Sequence, residues 1–136
     1  MIKINPSQIY MSVQTDADFA EWYVTEFMPT HVTDMDAAVS AEGKREMTIQ
    51  GRRYAESFDV EDIPSQYHFV TLMWKVAPNF FTFPVFNRIL SNSTLSDRQK
   101  MERCYDVSGE DAAEVIVAAD DRWWYPELID RKEGQQ

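Results

Sequence analysis

The chain has 136 residues, 44% of them hydrophobic and 13% aromatic, and a formal charge of −10 from 23 acidic against 13 basic residues. That length and apolar content suit one domain with a buried core and exclude a disordered chain. The negative balance disfavours phosphate backbones and anionic membrane surfaces as partners, so neither nucleic acid nor membrane is expected.

The single cysteine, Cys104, leaves no internal disulfide and suits a reducing, cytoplasmic setting. The first residues lack a basic segment followed by an apolar run, so no secretory signal is expected. No stretch approaches the roughly 18–20 apolar residues that a bilayer span needs.

Met1–Pro6 reads as a lead-in. Gln8–Gln14, where Ile9, Met11 and Val13 alternate with polar residues, reads as a first strand. The helix that follows, over Asp16–Pro29, is the most informative stretch. Phe19, Trp22, Tyr23, Glu26 and Phe27 recur at i, i+3, i+4, i+7 and i+8, which puts four aromatics and a carboxylate on one face. Thr15 or Asp16 can cap it, the early acids suit its positive end, and Pro29 ends or kinks it. From 30 to 42, Val32, Met35, Ala38 and Val39 have helical spacing diluted by Thr33, Asp34 and Asp36.

Gly43-Lys44-Arg45 reads as a turn into a second strand, Met47–Phe58, where Gly51 marks a bulge or a close backbone approach. Asp59–Ser65 is an acidic connector containing Pro64. A third strand is predicted over Tyr67–Val76, with Val70, Leu72, Trp74 and Val76 sharing a face, and Ala77-Pro78-Asn79 breaks it. In Phe80–Leu90 a second helix opens on Pro84, with Phe86, Ile89 and Leu90 at helical spacing. Ser91–Lys100 is a loop or helix end. Arg103–Ser108 is a fourth strand, and Val115–Ala118 a short extra strand or buried segment. Trp123-Trp124-Tyr125 forms an aromatic patch before Pro126, and Arg131–Gln136 is a polar tail.

The order strand, helix, strand, strand, helix, strand is the split βαβ arrangement of ferredoxin-like folds. The expected class is α+β, a βαββαβ antiparallel sheet with two helices on one face. The other face needs a cover, commonly a second copy of the chain. The whole is read as one domain, with a core of about residues 8–108 and an extension over 109–136.

The pattern Phe19…Trp22-Tyr23…Glu26…Met28-Pro29, then Gly51-Arg52-Arg53-Tyr54, then Tyr67…Leu72…Trp74 resembles the dimeric α/β-barrel superfamily, specifically its EthD-like members. The likeness covers roughly residues 9–108. Phe27 stands where those proteins usually carry histidine after the glutamate, and the tail beyond Ser108 has no counterpart. The resemblance implies a homodimer with a cavity between sheet and helices for a small hydrophobic or aromatic molecule. It also implies a cofactor-free cyclase, isomerase or monooxygenase acting by proton transfer.

The candidate catalytic residues are His68, His31 and Glu26. Histidine titrates near neutrality and suits a general base, and Glu26 beside Trp22 and Tyr23 can support it or pair with Arg53. Trp22, Tyr23, Arg53, Tyr54 and Trp74 are the candidate ligand-binding residues; Arg53 offers a planar fork and Tyr54 a donor for a carbonyl. Each has a plainer reading as core packing or surface charge. His31, Asp34 and Asp36 invite a metal, but their spacing fits no known ligand signature, and two histidines with one cysteine argue against a structural zinc site. Four glycines offer no phosphate loop, nucleophile elbow or dinucleotide fingerprint, so neither metal nor cofactor is expected. Cys104 reads as an inert packed thiol. The competing function is a non-enzymatic interaction module that uses the acidic surface and the Trp-Trp-Tyr patch.

Overall fold

A computed structural model of the chain describes residues 15–124, and every regular element among them is helical. Helix α1 (Asp16–Trp22) passes through a π-helical stretch (Tyr23–Phe27) into α2 (Met28–His31), and α3 (Thr33–Ala38) follows. Two longer helices come next, α4 (Ala41–Ser57) and α5 (Ile63–Lys75). A 3₁₀ turn (Phe80–Thr82) leads to α6 (Pro84–Leu90), α7 (Asp97–Tyr105) and α8 (Gly109–Val117), and a second 3₁₀ turn (Asp121–Trp124) ends the described chain.

The helix starts are written in side chains that satisfy first-turn amides. Thr15, Ser40, Asp62 and Ser108 each accept from the amide three residues on. Ser96 and Gln99 form a reciprocal capping box at α7. Helix α4 stops in a Schellman arrangement: Asp59 takes φ 62°, its amide bonds to the Glu56 carbonyl, and the Val60 amide reaches the Ala55 carbonyl.

Helix α5 is the centre of the molecule. Every residue from Tyr67 to Trp74 except His68 is buried. Helix α4 crosses it at Gly51, where a Cβ would lie 2.9 Å from Val70 Cγ2 and 3.1 Å from Met73 Sδ. The close backbone approach read from this glycine is therefore one between two helices. Helix α1, the π-helical stretch and α2 lay Phe19, Tyr23, Val24 and Met28 into the core, and α6, α7 and α8 add Phe86, Leu90, Met101, Cys104 and Val115. None of the described helices is long and apolar enough to cross a membrane.

These observations overturn the expected α+β class. The predicted strands Met47–Phe58 and Tyr67–Val76 are α4 and α5, Arg103–Ser108 opens inside α7, and Val115–Ala118 belongs largely to α8. The first predicted strand, Gln8–Gln14, lies outside the described residues. Without a sheet among those residues, the ferredoxin-like arrangement, the dimeric α/β barrel, its EthD-like likeness and the cavity between sheet and helices all fall. The bare sheet face that called for a second copy falls with them. Of the aromatic patch, the two described tryptophans pack onto the fold and do not form an exposed interaction surface. Trp124 is buried against Trp74 at 4.5 Å between ring centroids, and Trp123 packs on Tyr54 and Phe81. Tyr125 lies outside the described residues.

Three substitutions test this packing in urea unfolding. Gly51→Ala gains about 1 kcal/mol of helix propensity and incurs about 1–3 kcal/mol of overpacking against the stiff Val70 side chain, so a net loss of about 1 kcal/mol is expected. Gly109→Ala, whose Cβ would meet nothing within 4 Å, should instead stabilise by about 0.5 kcal/mol. Asp59→Gly, relieving the left-handed backbone, should add about 0.5–1 kcal/mol. A stabilising Gly51→Ala would contradict the helix crossing described above.

Candidate functional site

Tyr67 is where the aromatic face of the first helix meets α5. Its ring stacks on Phe19 at 4.7 Å and Trp22 at 4.8 Å, and lies 6.0 Å from Tyr23 and 5.6 Å from Phe27. Tyr23 reaches past it to Thr71, with 2.8 Å between hydroxyl oxygens, and burial holds the Tyr23 phenol far above its ordinary pKa. The next residue along α5, His68, is turned to the edge of the core.

Phe27 stands between the two histidines. The His31 ring lies flat on it at 3.8 Å and 8°, and the His68 ring meets it edge-on at 5.4 Å and 84°. His31 Nδ1 is 2.9 Å from the Phe27 carbonyl oxygen. A carbonyl only accepts, so the ring donates to it through Nδ1. On its far side, His68 Nδ1 is 3.0 Å from the Tyr105 hydroxyl, with the rings perpendicular at 5.5 Å. Burial pushes His68 below the ordinary histidine value, and the positive charges of His31 and Lys75 push the same way. Burial pushes Tyr105 up to about 12.

His68 and Tyr105 open into a cleft of about 740 Å³ between α5 and α7. Pro64, Met101 and the two rings supply its apolar surface. Asp62, Ser65, Ser96, Asp97, Arg98 and Glu102 supply its polar groups. The polar groups also hold one another. Asp97 Oδ2 accepts from the Glu61 and Asp62 amides, both at 2.8 Å, and Asp62 Oδ2 accepts from Ser65 N and Oγ. Arg98 Nε donates to Glu102 Oε2 at 3.2 Å. Each carboxylate uses one oxygen in these contacts and keeps the other.

The candidate residues from sequence therefore divide. His68 lines the cleft; His31, Trp22 and Tyr23 adjoin it through Phe27 and Tyr67. Glu26 is exposed on the π-helical stretch. Arg53, its expected partner, is exposed and faces Asp16 at 3.4 Å. Tyr54 donates to the Trp123 carbonyl at 2.9 Å, and burial raises its pKa. Trp74 packs at a tilt on Trp124, its buried indole N–H without a hydrogen-bond partner among the described residues. Tyr54 and Trp74 thus serve the packing of the C-terminal turn and stand apart from the histidines. Among the described residues no three His, Cys, Asp or Glu side chains converge as a metal site would require.

Tyr105, Met101, Glu102 and Asp97 escaped the reading because α7 was divided between a loop and a strand. The signal was present: Ser96-x-x-Gln99 is a capping-box sequence, and Met101 with Tyr105 has i, i+4 spacing. No family model, no curated protein and no solved structure matches the chain.

Cys104, facing the core two per cent exposed and pushed up to about 12 by burial, is no nucleophile for this site. At pH 8 a maleimide or disulfide reagent should modify it only as fast as the native state opens, and at once in urea. Rapid labelling of folded protein would contradict the burial.

Proposed function

We propose that this protein is a ligand-binding helical domain whose α5–α7 cleft takes a small organic amine, a protonated nitrogen on an apolar body. The observation that supports it is the composition of one concavity. Asp62, Asp97 and Glu102 share the lining with a single guanidinium, Arg98, and with apolar surface from Pro64, Met101 and Tyr105. The volume falls within the roughly 300–1,000 Å³ range of small-molecule sites. Carboxylate oxygens accept from an ammonium, the phenol ring of Tyr105 attracts it through its face, and the apolar wall takes its carbon skeleton. The formal charge of −10 draws cations toward the surface before contact.

Binding, and not turnover, is the role these groups support. Stabilising a developing oxyanion needs unengaged donors aimed at it. Here the nearby amides of Glu61, Asp62, Ser65 and Gln99 already donate to Asp97, Asp62 and Ser96. The same occupancy disfavours an anionic ligand. Cytoplasmic residence belongs to the same proposal, supported by a lone thiol kept in the core.

The test is a titration with 2-phenylethylamine followed by amide chemical shifts, beside its neutral analogue 2-phenylethanol and the anion 3-phenylpropionate. The amine should bind and shift resonances of α5 and α7; the alcohol should bind several-fold more weakly and the carboxylate not at all. Glu102→Gln should weaken the amine about fivefold, and Arg98→Gln should tighten it by a similar factor, each corresponding to about 1 kcal/mol for a part-exposed charge. Equal affinity for amine and alcohol would defeat the proposal.

A further inference from the structure

We infer that the cleft releases its amine as the medium acidifies, because His68 takes up a proton inside the site. This regulation rests on the amine reading. His68 is the one imidazole lining the cleft, and its ring is clamped between Phe27 and Tyr105.

The groups around it come from each packed element. From α2, His31 lies across Phe27. From α7 come Tyr105, in contact, and Glu102 and Arg98 in the cleft wall. The turn before α7 contributes Ser96 and, at its first residue, Asp97. Helix α5 contributes Asp62 at its cap, Ser65, and Lys75 toward its far end. The carboxylates are engaged by amides, a hydroxyl and a guanidinium, and the cations His31 and Lys75 oppose a second charge. Three carboxylates against one guanidinium give the lining a formal charge of −2, which becomes −1 once His68 is protonated.

The hydrogen bond to Tyr105 changes sense in the same step. The neutral Nδ1 accepts from the hydroxyl or donates to it according to tautomer, but the charged ring carries hydrogens on both nitrogens. It must then donate to the Tyr105 oxygen, and its charge occupies the edge of the phenol ring beside the ammonium position. The lowered folded-state pKa also sets a sign for stability. The folded state favours neutral His68, so the stability this group contributes is present above the unfolded histidine value and lost as pH falls through the folded one. Loss of ligand therefore has to be read on protein shown to be folded.

The experiment measures 2-phenylethylamine affinity from pH 7.5 to 5.0, a window above the range where carboxylates ordinarily protonate and far below that of an alkyl ammonium. The His68 Cε1 proton shift and the amide spectrum are recorded in the same samples. Affinity should fall about fivefold to tenfold, as a new unit charge several ångströms from the ligand requires, with its midpoint at that of His68 and below 6.5. His31→Gln, outside the cleft lining, should move both midpoints upward together. His68→Gln should flatten the profile, whatever its affinity at pH 7.5. Constant affinity in the wild-type protein, or an acid loss that persists in His68→Gln, overturns the inference while leaving amine binding in place. Absence of amine binding at every pH overturns both.

Discussion

The contact between Tyr67 and the aromatic face of the first helix sets the geometry of everything around the cleft. One ring on α5 meets four rings presented by α1 and the π-helical stretch, and Phe19 is in turn covered by the Arg52 guanidinium at 4.7 Å. Each aromatic pair is worth about 0.5–1.5 kcal/mol beyond the area it buries, and their shared partner fixes the rotation of one helix against the other. Because consecutive helical residues are about 100° apart, seating Tyr67 in the core places His68 at its margin. The position of the histidine is thus a consequence of packing one residue earlier.

Charges inside the structure do related work. Arg52, with only a tenth of its side chain exposed, donates to Gln66 at 3.0 Å and Asp16 at 3.2 Å; Gln66 in turn donates to the Val60 carbonyl. Lys44 Nζ is held by the side chain and carbonyl of Asp36. Lys100 Nζ reaches the Phe58 carbonyl at 2.9 Å, a cation at the negative end of α4. Removing one partner of such a buried group costs more than the pair contributes, because the other is left without water. Lys100 and Asp97 together bind α7 to the α4–α5 connection, so the two walls of the cleft are joined by polar contacts at one end and by Met101 and Cys104 in the core.

The first helix was legible because its apolar residues are aromatic, spaced for one face, and preceded by the capping Thr15. Helix α6 was legible for similar reasons, starting on Pro84. Helix α4 was not, because the face it buries consists of Lys44, Met47, Thr48, Gly51, Arg52 and Ala55. That is helical spacing written mostly in polar and small residues, which a search for apolar periodicity passes over. Helix α5 misled for the opposite reason. A helix buried on nearly all sides carries no amphipathic period, so alternation of Val70, Leu72, Trp74 and Val76 is a subset of a continuous run. Asp62 and Pro64 marked its start, as Ser96 and Gln99 marked that of α7. Of the site, His68 and the aromatics of the first helix were read from the sequence. The opposite wall was not, since it depends on which helix α7 packs against.

Pro29 explains how Phe27 comes to stand between the histidines. A proline in a continuous α-helix would leave the carbonyl four residues earlier, that of Thr25, without an amide partner and would crowd it with the ring. The chain absorbs this by widening just before the proline: the Met28 amide bonds to the Tyr23 carbonyl five residues back. Side chains share the disturbed backbone. Thr25 Oγ1 donates to the Glu21 carbonyl, and Thr30 Oγ1 and His31 Nδ1 converge on the Phe27 carbonyl at 3.0 and 2.9 Å. That last contact lays the His31 ring over Phe27, on whose edge His68 packs, and the His31 charge adds to burial in lowering the His68 pKa. A proline read as ending or kinking the helix thereby brings two histidines distant in sequence against one phenyl ring at the edge of the cleft.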